Sequence, residues 1–123
     1  MQAEAHVLLL VEDNPDQRES LALLLEDRGY SVTAAASGRA GLNHLAHGLH
    51  PCLIVLDLML ADMDGVDFMR AYHQASGAGA SCAPVILYSA GINLMASARA
   101  AGAVAHVQKP DLDRLFHFLA LLC

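Results

Sequence analysis

The sequence has few basic residues and no long apolar run, and each shortage excludes a class of protein. Seven Lys and Arg stand against 13 Asp and Glu, a formal net charge of −6, so the clustered cations that a nucleic-acid backbone requires are missing. No apolar run approaches the roughly 20 residues of a membrane span, and no basic segment precedes the short apolar stretch near the start. We therefore expect a cytoplasmic chain that binds neither nucleic acid nor a membrane.

Cysteine is scarce as well, and its spacing matches no cross-linking pattern. The three residues, Cys52, Cys82 and Cys123, are odd in number and contain no CxxC pair. Neither a disulfide framework nor a zinc knuckle is expected from this spacing. A reducing compartment fits this cysteine usage best.

Composition and pattern together predict a single α/β domain over residues 1–123. The chain is 55% hydrophobic and 16% charged, which is enough apolar surface for a core without cross-links or a structural metal. Short apolar runs alternate five times with helical segments. Strands are predicted at 6–13, 30–35, 51–59, 84–90 and 103–108, and helices at 15–28, 37–47, 66–75, 92–101 and 111–122. This order is typical of a five-stranded parallel sheet, doubly wound as (βα)5.

The first helix has the clearest boundary signals. Asn14 is the predicted N-cap, Pro15 takes the first helical position, and Gln17 completes a capping-box spacing. We expect three leucines to form the buried stripe of this helix: Leu21, Leu24 and Leu25.

Polar side chains occur where four of the five predicted strands end. They are Glu12 and Asp13 after the first strand, Asp57 in the third, Ser89 in the fourth and Lys109 after the fifth. Because ligands bind beyond the carboxyl ends of the strands in open parallel sheets, we expect these five side chains to share one rim.

The types of these side chains indicate phosphoryl chemistry. Three carboxylates in a partly dehydrated cleft repel one another unless a cation compensates, and a hard divalent ion such as Mg²⁺ suits them. Lys109 is the only lysine, and the proline after it holds its backbone extended, so its ammonium is expected to point across the strand ends. With the Ser89 hydroxyl and a carboxylate nucleophile, this set can transfer a phosphoryl group through an aspartyl phosphate.

Each of these residues taken alone also has a structural explanation. An acidic pair before a helix interacts favourably with the helix N-terminus, and a Lys-Pro pair is common in solvated turns. Asp57 could cap a helix, but the next turn residue comes only at Asp62, which makes Asp57 the strongest single signal. The functional inference therefore depends on the joint pattern.

Four segments resemble one known family: VLLLVEDNPDQRE, PCLIVLDLMLADMDG, PVILYSA and AGAVAHVQKP. They make essentially the whole chain similar to the receiver domain of bacterial two-component response regulators, which has a CheY-like, flavodoxin-like fold. The resemblance implies that Asp57 receives a phosphoryl group from a phosphohistidine. The donor would be a sensor histidine kinase or a histidine phosphotransfer protein.

The resemblance also implies a magnesium site. Asp13 and Asp57 would bind Mg²⁺ directly, together with the backbone carbonyl of Met59. Glu12 would act on the ion through a water molecule.

The resemblance further implies a switch rather than an enzyme with a metabolic substrate. Ser89 and Lys109 would contact phosphoryl oxygens and pull the loop after the fourth strand inward. The output face would comprise the helix at 92–101, the fifth strand and the last helix, where a downstream effector or a second copy of the chain would bind.

Several positions depart from the family pattern, and four of them bear on the site or the switch. Ala61 stands where the family usually has a proline four residues after the phosphoacceptor, so the loop loses a fixed φ angle. His106 replaces the usual aromatic switch residue, and it is either a working switch or a partly exposed residue on an edge strand. Met59 and Gly91 offer no polar side chain to orient a hydrolytic water, which predicts slow self-dephosphorylation.

Three other functions compete with the phosphoacceptor switch. A receiver-like domain that signals by protein interaction without phosphorylation is favoured by Ala61 and His106 and opposed by the intact rim. A phosphatase of the haloacid dehalogenase type needs a second aspartate two residues after the nucleophile, where this chain has Met59. A flavodoxin-like FMN binder needs a loop that cradles phosphate after the first strand, where the segment EDNPDQ is anionic.

Overall fold

The five predicted strands form one parallel sheet. The computed structural model describes residues 6–76, 82–90, 96, 99 and 102–123. Its strands are β1 (Val7–Val11), β2 (Ser31–Ala35), β3 (Leu53–Leu56), β4 (Val85–Ser89) and β5 (Ala105–Gln108). They lie in the order β2-β1-β3-β4-β5, and every neighbouring pair runs parallel. The predicted doubly wound α/β fold is confirmed.

Helices cover both faces of the sheet. The described helices are α1 (Pro15–Asp27), α2 (Gly38–Ala46), α3 (Gly65–Ser76) and α4 (Leu112–Leu122). Helices α1 and α4 pack on one face, and α2 and α3 pack on the other. The helix predicted at 92–101 lies outside the described residues, apart from 96 and 99, which are helical. No described helix is long and apolar enough to cross a membrane.

Strand β1 shows why the central strands are apolar without alternation. Leu8 and Leu10 pack with α1 and α4, whereas Leu9 and Val11 pack with α2 and α3. Successive side chains of a strand point to opposite faces, so a strand covered by helices on both sides must be apolar at every position. All four of these side chains are at most 1% exposed.

The start of α1 agrees with the sequence prediction, but one leucine of its stripe does not. The Asn14 side chain accepts a hydrogen bond from the Gln17 N–H at 3.0 Å, with a proline at the first helical position. Leu21 and Leu25 are buried, whereas Leu24 is 42% exposed, so its assignment to the core was wrong. Leu24 lies at the edge of the buried face, where it lines a surface cleft beside Tyr88.

The expectation that the cysteines form no cross-link was also wrong. Cys52 and Cys123 form a disulfide with a Cα–Cα distance of 5.6 Å, a separation that suits this bond. Cys52 directly precedes β3, and Cys123 follows the last residue of α4. A sequence separation of 71 hides this proximity, because only the packing of α4 against the sheet brings the two cysteines together. Cys82 has a free thiol.

Asp62 connects the loop after β3 to the start of α2. Its carboxylate accepts hydrogen bonds from the backbone N–H groups of Gly38 at 3.0 Å and Arg39 at 2.9 Å. A side chain at Gly38 would place its Cβ 2.5 Å from Cγ of Met63, so any other residue at this position would force the Met63 side chain to move. The Arg39 N–H, followed by that of Gly38, lowers the pKa of Asp62, because both N–H groups stabilise the charged form.

We expect Asp62→Ala to lower the free energy of unfolding by about 1 kcal/mol at neutral pH, because two N–H groups at the start of α2 lose their acceptor. The pKa of Asp62 is lower in the folded state than its usual value of 3.8. Its stabilisation is therefore present above that value and is lost as the pH falls through the folded-state pKa. Urea unfolding of both proteins at neutral and acidic pH measures the difference, which should shrink in acid.

The matched control for this substitution is Asp67→Ala. Asp67 forms an exposed ion pair with Arg70 at 3.6 Å. Its removal should change stability by no more than about 0.5 kcal/mol. A difference between Asp62→Ala and the parent chain that is the same at every pH would contradict the assigned role of the Asp62 charge.

Candidate functional site

The structure brings the five predicted rim residues into one cleft. Glu12 and Asp13 follow β1, Asp57 follows β3, Ser89 ends β4, and Lys109 follows β5. Strands β1 and β3 are neighbours in the sheet although β2 lies between them in sequence. The winding of the chain reverses between these two strands, which is where a parallel sheet opens a crevice for a ligand.

Asp57 lies at the centre of the cleft, and both of its carboxylate oxygens are hydrogen-bonded. Oδ1 accepts from the Ser89 hydroxyl at 2.9 Å and from the Met59 N–H at 3.1 Å. Oδ2 accepts from Nζ of Lys109 at 3.1 Å. Asp57 is 9% exposed, and a carboxylate this deeply buried requires such partners.

Lys109 is the cation that neutralises this cleft. Its ammonium donates to Asp57, to Oε1 of Glu12, and to Oε1 of Gln17 at 2.7 Å, which accounts for its three N–H groups. Burial by itself would lower the pKa of Lys109, but the hydrogen bonds to Glu12 and Asp57 outweigh burial and raise that pKa above its usual value. The lysine therefore remains charged at neutral pH. The peptide bond between Lys109 and Pro110 is cis.

Glu12 is the most buried carboxyl group of the cleft, at 3% exposure. Burial raises the pKa of Glu12 above its usual value, although the hydrogen bonds from Lys109 and from the Asn14 N–H oppose this in part. The cost of burying this acid is offset mainly by the lysine, which ties the end of β1 to the end of β5.

Asp13 reaches the loop after β3 through an unusual hydrogen bond. Its Oδ2 accepts from the Ala61 N–H at 2.8 Å. A proline at this position, as the family usually has, could not donate this bond because it lacks an N–H. The sequence predicts only the loss of a fixed φ angle at Ala61, whereas the structure shows an added hydrogen bond between this loop and Asp13.

Glu12, Asp13 and Asp57 fit a divalent cation. Each offers a carboxylate oxygen, and these oxygens lie within 4.8 Å of one another. Hard anionic oxygens are the ligands that Mg²⁺ prefers. Met59 lies in the loop next to Asp57 with its side chain 66% exposed, and the role of its carbonyl remains a prediction.

Two residues that support the cleft were not predicted from the sequence. Gln17 was assigned only to the helix cap, but its side chain accepts a hydrogen bond from Lys109. Arg18 donates from Nη1 to the backbone carbonyls of Glu12 at 3.1 Å and Asp13 at 3.4 Å. Both residues lie in the first turns of α1, which begins beside the acidic pair, and that position was the available signal.

Another departure from the family pattern lies on the last strand of the sheet. His106 lies on β5, the edge strand of the sheet, and is half-buried. The switch role of His106 stays a prediction. Gly91 lies outside the described residues.

Comparison with known proteins assigns this fold and cleft to a family. Residues 8–120 match the sequence model of the response regulator receiver domain. The transcriptional regulatory protein KdpE of Mycobacterium tuberculosis is 34% identical over 106 residues, which are 85% of this chain and 44% of KdpE. The response regulator Rre1 of Synechocystis sp. is 41% identical over 69 residues, which are 55% of this chain and 29% of Rre1.

Solved structures agree with the sequence comparison. The crystal structure of the response regulator protein TrrA from Thermotoga maritima, in complex with Mg²⁺-BeF, has a TM-score of 0.81 and 25% identity, and the match covers 95% of this chain and 98% of that one. The fold and cleft define a CheY-like signalling domain of two-component systems. The chain belongs to the response regulator receiver domain family. It covers less than half the length of KdpE and of Rre1.

We expect Ala61→Pro to tighten Mg²⁺ binding by about threefold to tenfold, because the substitution removes one neutral hydrogen bond that competes for Oδ2 of Asp13. Isothermal titration with MgCl₂ measures the dissociation constant. The matched control is Ala61→Gly, which keeps the N–H and should bind Mg²⁺ as the parent chain does. Equal affinities of the proline variant and the parent would contradict the competition.

Proposed function

We propose that this chain is the phosphoacceptor switch of a two-component phosphorelay and that Asp57 is the residue phosphorylated. The observation that carries the proposal is the pairing of both Asp57 oxygens with Ser89 and Lys109, beside the carboxylates of Glu12 and Asp13. A purely structural aspartate would not need a second and a third acid beside it. The TrrA complex with Mg²⁺-BeF adds support from a protein of the same fold.

The proposed reaction transfers a phosphoryl group between two side chains. A carboxylate oxygen of Asp57 attacks the phosphorus of a phosphohistidine on a histidine kinase or a histidine phosphotransfer protein. The P–N bond breaks, and the imidazole nitrogen keeps the bonding electron pair. Mg²⁺ held by Glu12, Asp13, Asp57 and the Met59 carbonyl would neutralise charge on the phosphoryl oxygens.

Ser89 and Lys109 act after the transfer by changing partners. The Ser89 hydroxyl and the Lys109 ammonium now contact the Asp57 carboxylate, and a phosphoryl group on Asp57 offers them new, more highly charged acceptors. Ser89 is the last residue of β4, so its new bond would shift the chain that follows this strand. The proposed output face comprises residues 91–101, β5 and α4, and this shift would alter it.

In this proposal the chain acts as a switch and has no separate metabolic substrate. Its only turnover is the gain and loss of its own phosphoryl group. The cognate kinase and a downstream effector, or a second copy of the chain, are the proposed partners in the cytoplasm. The alternative, a receiver-like domain that works without phosphorylation, finds no support in the comparisons.

Asp57→Ala should abolish phosphorylation by acetyl phosphate, because the substitution removes the nucleophile. With Mg²⁺ present, the intact mass of the parent chain should rise by one phosphoryl group, and chelation of Mg²⁺ should prevent that rise. Asp16→Ala is the matched control, since Asp16 is an exposed acid in the first turn of α1 and should not affect the mass gain. A mass gain in the Asp57 variant would place the acceptor elsewhere.

Beryllofluoride with Mg²⁺ separates the switch from the alternative function. A competent cleft should bind this phosphoryl analogue and raise the melting temperature of the parent chain but not that of Asp57→Ala. A parent chain whose melting temperature does not respond would favour a domain that works without phosphorylation.

Met59→Asn should hasten loss of the phosphoryl group by about tenfold, because an amide beside Asp57 can position the hydrolytic water that the exposed methionine cannot. The measurement is the decay of the phosphorylated mass after the phosphodonor is removed. Met59→Leu is the control and should decay as slowly as the parent chain. An unchanged or slower decay of the asparagine variant would count against the prediction of slow self-dephosphorylation.

A further inference from the structure

A second cluster of reactive side chains lies at the amino-terminal ends of the strands, on the side of the sheet away from the Asp57 cleft. His6 precedes β1, Cys52 precedes β3, and Cys123 follows α4, so all three lie at the amino-terminal ends of the strands. One potential ligand atom from each lies within 4.8 Å of the other two. The rim with Asp57 lies beyond the carboxyl ends, about 16 Å from Cys52 along the extended chain. The function proposed above uses none of these residues.

The environment of the two sulfur atoms suits a thiol pair as well as a disulfide. Sγ of Cys52 lies 3.2 Å from the carbonyl oxygen of Val7, which can accept its S–H when the bond is reduced. Nδ1 of His6 lies 3.8 Å from Sγ of Cys123 and can accept the hydrogen of that thiol. A histidine beside a cysteine favours the thiolate, which is the form that reacts with oxidants. Both cysteines are partly exposed, so a small reagent can reach them.

We propose that Cys52 and Cys123 are a redox modification site, in which a hydroperoxide forms the disulfide and a thiol reductant opens it. With hydrogen peroxide as the oxidant, the Cys123 thiol gives its proton to Nδ1 of His6, and the thiolate attacks one peroxide oxygen. The O–O bond breaks, a sulfenic acid forms, and the leaving hydroxide takes up that proton and departs as water. The Cys52 thiol attacks the sulfenic sulfur, the S–S bond forms, the S–O bond breaks, and a second water leaves. Two electrons pass from the two sulfurs to the peroxide.

In the oxidised state, the disulfide links the end of α4 to the residue before β3. The cross-link spans 71 residues of sequence, so it removes much of the conformational freedom of the unfolded chain. Both joined segments carry core residues, Leu53 at the start of β3 and Leu119 in the last turns of α4. Oxidation therefore stabilises the packing of α4 on the sheet without adding a contact at the phosphoryl site.

The test starts from the parent chain reduced with dithiothreitol and freed of the reductant. This chain is oxidised by hydrogen peroxide and then analysed by intact mass and peptide mapping. We expect the loss of two hydrogen masses, a linked pair of peptides that contains Cys52 and Cys123, and reversal by dithiothreitol. The melting temperature of the oxidised chain should exceed that of the reduced chain by at least about 5 °C. Cys52→Ser and Cys123→Ser should lose this difference, and the matched control Cys82→Ser should keep it.

Other outcomes would overturn the proposal. These are a disulfide between two copies of the chain, a linkage through Cys82, or equal melting temperatures before and after oxidation. If the reduced chain binds Zn²⁺ and its thiols then resist peroxide, the cluster is a metal site instead. Mg²⁺ titration of the reduced chain and of Cys52→Ser checks that both proteins are folded, and it separates failure here from failure of the proposed phosphoacceptor function.

Discussion

The contact of one half-buried ammonium with two buried carboxylates holds the carboxyl ends of the strands together. Glu12 and Asp57 are 3% and 9% exposed, and two acids at this depth would repel each other strongly without a cation between them. Lys109 supplies that charge and links the ends of β1, β3 and β5 in a single network. Because the same lysine contacts the proposed phosphoacceptor, any change of charge on Asp57 alters the interactions of all three strand ends.

The loop after β3 is the second support of the cleft. The Asp62 carboxylate links this loop to the start of α2 by two hydrogen bonds, and the Ala61 N–H links it to Asp13 by a third. The residue that departs from the family pattern thus forms a contact that the usual residue could not form. From the sequence, Ala61 was expected to make this loop less rigid. In the structure it also gives the loop one additional hydrogen bond.

The two edges of the sheet carry different chemistry for a geometric reason. In a parallel sheet all carboxyl ends lie at one edge, so the acids, the hydroxyl and the lysine meet there. The residues that precede the strands and follow the helices meet at the other edge, and this is where Cys52, Cys123 and His6 come together. A change at one edge can therefore leave the side chains of the other edge in place.

The fold and the five rim residues could be predicted from the sequence because both follow from local patterns. Short apolar runs define buried strands, and the residue at the end of each strand lies at a known edge of a parallel sheet. Leu24 illustrates the limit of this reasoning, since a leucine at the margin of a helical stripe is buried or exposed according to how its neighbours pack. Contacts that join distant segments depend on that packing.

The sequence by itself therefore determined the order of the elements, the family, and the side chains available at the rim. Only the tertiary structure decided which hydrogen-bond partner each of these side chains has. It alone revealed the contact of Gln17 with Lys109, the tether from Ala61 to Asp13 and the bond between Cys52 and Cys123. The physical reason is that strand and helix patterns depend on residues close together in the sequence, whereas these three contacts join residues 48 to 92 positions apart.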